Sequence, residues 1–225
     1  MSVQLIAGAS DHLTLVDHAD LKPTGAFTIM AWIKTSTAGQ QGIYQSNSQN
    51  PNTAGLRFNI DPSNHIGLET GNNTGNSIKG THYDNIQGTT DLSDGAWHHV
   101  AGTWDTSNLR VVVDGVQEGI QAWAQAPAYA ATNYLRIGSI NPAGAEGSIF
   151  TGNIAELRFW NGNALTVDQI KTEMRSLQPQ FYLSNVKLWL PMDNAVLPAT
   201  YTDMSGNAHP ATPVNTPTVS QHVPF

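Results

Sequence analysis

The sequence lacks cysteine altogether and contains few charged residues. With no cysteine among 225 residues, disulfide bonds, thiolate metal sites and a cysteine nucleophile are excluded. Charged residues make up 12% of the chain, about half the usual fraction of roughly 25%. Ten Lys and Arg against a formal net charge of -7 leave no basic stripe, which argues against nucleic acid as a partner. The amide-rich, acidic surface suits neutral sugars, cations or another protein.

Long apolar stretches are also missing. Residues 1–10 have neither a basic segment nor a long apolar segment, so they do not resemble a secretory signal, and no apolar run approaches the roughly 20 residues of a membrane helix. We therefore expect no membrane insertion. The expected location is a virion, or the cell surface or exterior reached by assembly or by release without a signal peptide, and otherwise the cytoplasm.

Short alternating segments separated by turn residues dominate the sequence. Residues 27–34 have apolar side chains on both faces, which is typical of a strand that is covered on each side. Residues 97–104 and 109–113 predict a hairpin, and Asp114-Gly115 predicts a second tight turn. Many short strands at this spacing predict an all-β antiparallel sandwich of the jelly-roll type.

One short helix is predicted in the last third of the chain. Thr166 and Gln169 form a capping box, and Leu165 and Ile170 form the matching hydrophobic staple. Ile170, Met174 and Leu177 share one face, so we expect this helix to cover an edge or an end of the sandwich.

The last residues differ from the rest in composition. Prolines at 210, 213, 217 and 224 rule out a central strand. We assign residues 1–207 to the jelly-roll domain and 208–225 to an extended C-terminal arm of the same domain, and we expect deletion of the arm to leave the fold intact. Such an arm could also lie on a neighbouring subunit.

Several segments, in order, resemble the laminin-G-like, concanavalin A-like jelly-roll family. They are residues 11–15 and 25–34, the hairpin 94–105 with 109–115, residues 135–139 and 150–161, the helix start 165–170, and Asp-Met-Ser-Gly-Asn at 203–207. The resemblance covers most of residues 1 to 210. It implies the fold, but the fold hosts lectins, adhesins, glycosidases, lyases and virion proteins, so it does not fix the function.

A catalytic carboxylate pair is the first functional possibility. A retaining glycosidase needs two carboxyl groups about 5 Å apart, as on alternate residues of one strand. No Glu-x-Asp-x-x-Glu pattern occurs, and Glu156 is followed on the same strand by Arg158, which indicates an ion pair. We therefore predict that the chain is not an enzyme, with a polysaccharide hydrolase or lyase as the least favoured alternative.

His98 and His99 suggest a metal site only at first sight. Adjacent strand residues point to opposite faces, so these two side chains cannot bind one ion together. We expect one of them to be buried and hydrogen-bonded and the other to face outward. The remaining histidines show no ligand spacing.

Calcium is the one cofactor that the sequence suggests. The family resemblance implies a Ca²⁺ site near a rim of the sandwich, and hard cations prefer oxygen ligands from loops. One candidate set comprises Asp193, Asp203, Ser205 and Asn207, and a second comprises Asp17 and Asp20. Ordinary Asx-turn hydrogen bonding is the alternative for the first set.

A sugar site needs an exposed aromatic ring with amide partners nearby. Trp123, in a stretch without clear alternation, is the first candidate, and its alternative is packing beneath its own loop. The further candidates are Tyr129, Tyr44, Tyr83 and His65.

Two functions of different class fit these features. One is a non-catalytic, lectin-like binding or adhesion module that recognises a surface glycan or a protein. The other is a structural or decoration protein of a virion, such as a phage capsid or tail accessory protein, which would form homo-oligomers or join a larger particle. A lectin should keep its loop aromatics exposed, whereas an assembly protein should need its arm or a flat sheet face.

Overall fold

The computed structural model describes residues 2–5, 10–47, 54–74, 78–130, 134–140, 148–194 and 196–220. In these ranges the chain forms fifteen strands, one α-helix and two 3₁₀ turns, at Ala19–Leu21 and Leu183–Asn185. The strands are β1 Ser2–Leu5, β2 His12–Leu15, β3 Phe27–Lys34, β4 Gln41–Asn47, β5 Ala54–Ile60, β6 Ile66–Asn72, β7 Tyr83–Gln87, β8 Trp97–Trp104, β9 Asn108–Val113, β10 Val116–Ala122, β11 Tyr134–Ile137, β12 Gly152–Asn161, β13 Val186–Leu190, β14 Thr212–Val214 and β15 Thr218–Ser220.

The strands form two antiparallel sheets. One has eight strands in the order β10-β9-β8-β3-β12-β1-β15, with β13 also paired to β12. The other has seven strands in the order β14-β2-β11-β4-β5-β6-β7. The predicted all-β sandwich is confirmed, and the predicted hairpin corresponds to β8 and β9.

Strand β12 changes its neighbour halfway along one edge. Its first residues pair with β1, and the segment from Leu157 onward pairs with β13. Between these segments the register with β3 shifts, and Glu156 has a φ of 50°. This bulge lets one long strand serve two partners on the same side.

One hydrophobic core fills the space between the sheets. Alternate residues of β3, including Phe27, Ile29 and Ile33, point into this core together with Leu56, Phe58 and other side chains from the facing sheet. Met30 points the other way and belongs to a second buried cluster with Trp160. The prediction that β3 is covered on both faces is therefore confirmed.

Helix α1, Val167–Glu173, supplies the cover for the second cluster. Its capping box is present as predicted, because the Thr166 side chain accepts from Gln169 N and the Gln169 side chain accepts from Thr166 N. The buried side of the helix shares a cluster with Ala101 and Val112 on the outer face of the eight-stranded sheet. Leu177 is exposed because the helix ends at Glu173, before that residue could join its buried face.

The described part of the C-terminal arm, up to residue 220, includes two short strands that pair with the body. It supplies β14 to an edge of the seven-stranded sheet and β15 to an edge of the eight-stranded sheet. Pro213 is tolerated because β14 is an edge strand. Among the described residues, no helix has the length and apolar character needed to span a bilayer.

Candidate functional site

Two of the five predicted sugar-binding aromatics do not lie on the surface. Trp123 is 3% exposed, and its carbonyl accepts a hydrogen bond from Trp104 Nε1 at 2.7 Å. Tyr44 is 0% exposed and donates its hydroxyl to Leu21 O at 3.1 Å. Neither ring can act as a stacking platform, so the structure favours the packed alternative for Trp123 and overturns the exposure expected of Tyr44.

The other three candidates are partly exposed but do not lie together. Tyr129 donates its hydroxyl to Pro23 O at 3.2 Å, which fixes its ring against the chain. His65 lies in the turn between β5 and β6, where Asp61 Oδ1 accepts from its backbone N–H at 2.9 Å. Tyr83 lies on β7, opposite Gly71 of β6. Only Tyr83 belongs to a regular sheet surface.

The first predicted calcium set forms a hydrogen-bonded turn. Asp203 Oδ1 accepts from the backbone N–H groups of Trp189 and Ser205, while Oδ2 accepts from the Ser205 hydroxyl and from His209 N. Four donors occupy the roughly four lone-pair positions of one carboxylate. Asn207 donates to Val186 O, and Asp193 is exposed in the loop after β13. These contacts match the Asx-turn alternative, and a calcium role for the set stays a prediction.

The second calcium set is split between different partners. Asp17 forms an ion pair with Lys22 at 2.8 Å. Asp20 lies beside His18 and His209 instead, with Oδ2 3.4 Å and 3.1 Å from their ring nitrogens. No local pattern joins His209 to this turn, since 189 positions separate it from Asp20.

The paired histidines occupy opposite environments, as predicted. His99 is buried, and burial lowers its pKa to about 3, with the positive charge of Arg158 acting in the same direction. Its Nδ1 has no hydrogen-bond partner within the described ranges, whereas we expected the buried ring to be bonded. His98 contacts Asp114 at 2.8 Å and Asp94 at 3.3 Å, and the hydrogen bond to Asp114 raises its pKa.

The four described glutamates are all engaged in contacts within the fold. Glu156 and Glu173 both bind Arg158, at 3.0 Å and 2.8 Å, and the ion pair predicted from the strand spacing is present. Glu118 accepts from Thr89 N and Thr90 N. Glu69 pairs with Arg57 on neighbouring strands. The fifth glutamate, Glu146, lies outside the described residues.

A continuous polar row crosses the outer face of the seven-stranded sheet. Because directly paired residues share a face, the register places one side chain from each strand in this row. The row runs through Thr212, Thr14, Arg136, Gln45, Arg57, Glu69 and Asn85, from β14 to β7. On β2, β11 and β5 both flanking residues belong to the core between the sheets, so the row lies on the outer face of the sandwich.

Arg57 and Glu69 are the charged pair on β5 and β6 of this row. Arg57 Nη1 lies 3.4 Å from Glu69 Oε1, longer than a good charged hydrogen bond of about 2.8 Å. Arg57 is 7% exposed, yet neither its Nε nor its Nη2 has a hydrogen-bond partner in the described part of the chain. Burial also raises the pKa of Glu69, against the opposing effect of Arg57. Two nearly buried charged groups thus keep unused hydrogen-bonding capacity.

A cleft opens over this pair. Gly67 lies two positions before Glu69 on the same face of β6 and has no side chain to fill the cleft. A Cβ at Gly67 would lie 3.3 Å from the Asn59 side chain, its partner on β5. The lining of the cleft is mainly polar and includes Gln40, Asn59, Asp61, Asn85 and Gln87 beside the charged pair. We name this cleft, with Arg57 and Glu69 at its base, the Arg57 cleft. It can offer donors and acceptors to a polar ligand along the sheet.

The residues of the Arg57 cleft were missed in the sequence, although a signal was present. Arg57 and Asn59 alternate with Leu56, Phe58 and Ile60, so the strand itself places them on the outer face. Neither residue is aromatic, so the requirement for an exposed ring did not select them. Tyr83, on the neighbouring row of β7, is the one predicted aromatic on this same face.

Comparison with known proteins places the chain in a family. A family model described as the concanavalin A-like lectin/glucanases superfamily matches residues 7–171. The chain belongs to this superfamily. No curated protein matches the sequence closely enough to count as a relative.

Solved structures with the same fold are distant in sequence. A candidate carbohydrate-binding protein from Bacteroides ovatus has a TM-score of 0.74 at 17% identity, covering 98% of this chain and 59% of that one. The IT-sialidase CBM40 of Ruminococcus gnavus, bound to α2,3-sialyllactose, has a TM-score of 0.58 at 14% identity, covering 68% and 85%. The SAP-like pentraxin of Limulus polyphemus has a TM-score of 0.58 at 17% identity, covering 80% and 84%. At these identities the likeness shows the fold alone, and this chain spans 59% of the Bacteroides ovatus protein's length.

Proposed function

We propose that this chain is a non-catalytic, lectin-like module that binds a glycan in the Arg57 cleft. The observation that carries the proposal is the nearly buried Arg57 guanidinium, which lines a polar cleft and whose Nε and Nη2 have no hydrogen-bond partner among the described residues. A buried donor without a partner costs about 1–3 kcal/mol, and more when it is charged. Hydroxyl or carboxylate oxygens of a sugar would satisfy these donors.

The neighbouring groups suit the same class of ligand. Asn85 and Gln87 line the cleft from β7, and Asn59 lines it from β5. Amide side chains supply both donors and acceptors, which is what a sugar with several hydroxyl groups requires. Tyr83 lies on the same face and offers a partly exposed ring to one end of a ligand. The sialyllactose bound by the structurally similar CBM40 supports a glycan as the ligand class.

The alternative role as a virion structural protein would use the arm to bind a neighbouring subunit, and the arm gives this role less support than the cleft gives glycan binding. In the described part, β14 pairs with β2 and β15 pairs with β1 of the same chain, so one edge of each strand is already paired within the molecule. A decoration protein could still bind surface glycans through the Arg57 cleft. Either role would place the protein on a particle or outside the cell.

The test compares glycan binding by wild type with that of two cleft variants. Glycan-array screening followed by isothermal titration calorimetry should give a dissociation constant that rises at least about tenfold in Arg57→Gln and in Asn85→Ala, because each loses direct hydrogen bonds to the ligand. Arg175→Ala, an exposed arginine just after α1, is the matched control and should bind like wild type. Glycan binding that both cleft variants retain would refute the cleft as the site.

A further inference from the structure

We propose that His18, Asp20 and His209 form a binding site for zinc or a similar divalent transition-metal ion. One ligand atom from each side chain lies within 4.8 Å of the other two. Asp20 Oδ2 lies 3.1 Å from His209 Nε2 and 3.4 Å from His18 Nδ1. The two imidazole rings have centroids 4.5 Å apart.

These separations match the spacing that a tetrahedral metal imposes. Ligands at 2.0–2.1 Å in tetrahedral geometry lie about 3.3 Å from one another. Both measured nitrogen–oxygen distances fall within about 0.2 Å of that value. The third separation, between the histidine nitrogens, lies within 4.8 Å, so the three side chains already meet around one position.

The surrounding contacts fix two of the three ligands. The Asp20 carbonyl accepts from Asn161 Nδ2 at 3.0 Å, which ties the 3₁₀ turn to β12. His209 is nearly buried, and its backbone N–H donates to Asp203 Oδ2 at 3.0 Å. Because this backbone is anchored before any metal arrives, little ordering is required on binding.

His18 is the exposed ligand and leaves the site open to solvent. Its side chain is 52% exposed, and its Nδ1 accepts from Asp20 N at 3.2 Å at the start of the turn. Metal binding would replace this hydrogen bond, and water can satisfy the freed amide at the surface. With three protein ligands, a fourth position would be filled by water.

The donor set selects the class of metal. Two imidazoles and one carboxylate suit zinc, copper, nickel or cobalt, whereas calcium requires six to eight oxygen ligands. Lys22, the nearest cation in sequence, is held by Asp17 at 2.8 Å. The site thus carries one carboxylate charge that a divalent ion can neutralise.

The test uses the tag-free full chain, treated with chelator and then titrated with Zn²⁺, Co²⁺ or Ca²⁺. Zn²⁺ well above its dissociation constant should raise the Tm by about 5–10 °C, because binding to the folded state adds to its stability. Co²⁺ should give the visible absorption of a tetrahedral site. His18→Ala and Asp20→Asn should lose both signals, while His65→Ala, another partly exposed histidine, should keep them.

Three results would overturn the metal site. They are the absence of Zn²⁺ and Co²⁺ signals up to millimolar metal, signals that His18→Ala leaves unchanged, and a Tm rise with Ca²⁺ but not Zn²⁺. His18 is exposed, so its alanine variant should fold, and circular dichroism checks this. Glycan binding by the Arg57 cleft is a separate measurement with separate variants, so failure of one proposal does not affect the other.

Discussion

At the scale of single residues, the buried His99 makes stability depend on pH. Its ring lies edge-on to Trp32 with centroids 5.4 Å apart, and its folded-state pKa of about 3 is below the unfolded value of about 6.5. As the pH falls below about 6.5, the unfolded chain takes up a proton that the folded chain cannot. The contribution of His99 to stability is therefore fully present above about pH 6.5 and is lost progressively as the pH falls from about 6.5 to about 3.

We predict that wild type loses about 2 kcal/mol of unfolding free energy from this residue between pH 7 and pH 5. His99→Phe keeps an aromatic ring beside Trp32 without a titrating nitrogen, so its stability should fall less over the same interval. Urea denaturation at several pH values measures the difference, with His65→Phe as the matched histidine-to-phenylalanine control. Parallel pH curves for wild type and His99→Phe would contradict the assigned cause.

The same scale explains which site residues the sequence could indicate. The chemistry of individual side chains suggested Trp123 and Tyr44, but exposure depends on what the chain places over them. Trp104, 19 residues away on β8, binds the Trp123 carbonyl, and no local pattern shows this contact. The position of Arg57 could be predicted from the sequence, because strand alternation alone places it on the outer face.

At the scale of elements, Arg158 joins the bulged strand β12 to the end of helix α1. Its guanidinium binds Glu156 and Glu173 and donates to Ser176 O, with the charged groups nearly removed from solvent. A buried charge that loses its partner is costly, about 3–5 kcal/mol. If Arg158 were replaced by an apolar residue, the buried Glu173 carboxylate would lose its charged partner.

We predict that Arg158→Met lowers the unfolding free energy by about 3–5 kcal/mol. Adding Glu173→Leu should recover part of the loss, since the unpaired charge is then removed. Lys171→Ala breaks the exposed Lys171–Asp168 pair of the same helix and should cost no more than about 0.5 kcal/mol. Chemical denaturation measures the unfolding free energy of wild type and the three variants. Equal losses in Arg158→Met and Lys171→Ala would show that the buried pair contributes no more than an exposed one.

Element types were predictable from local pattern, whereas their positions were not. The capping box of α1 and the alternation of β3 are encoded within a few residues, and both are observed. Where α1 packs depends on Met30 and Val112, which are distant in sequence, so local pattern could not name the residues that it covers. The predicted burial of Leu177 with Ile170 failed for a similar reason, because the helix ends at Glu173 and Leu177 lies beyond it.

At the scale of the whole molecule, the C-terminal arm joins the two sheets. Its first strand, β14, pairs with β2 in one sheet, and β15 pairs with β1 in the other. Ala211, which lies between the motif at residues 203–207 and β14, is fully buried in the common core. Composition showed that the arm could not be a central strand, but pairing with the chain's beginning is a long-range feature that composition does not contain.

Removal of residues 208–225 should therefore cost stability in both sheets at once, although the core between them remains. We predict that the chain ending at residue 207 still unfolds in a single transition, with its Tm lowered by about 5–10 °C because two edge strands and Ala211 are lost. Differential scanning calorimetry measures this, and a chain ending at residue 220 isolates the contribution of β14 and β15. An unchanged Tm would mean that the arm is dispensable, and two separate transitions would mean that it couples sheets which otherwise unfold independently.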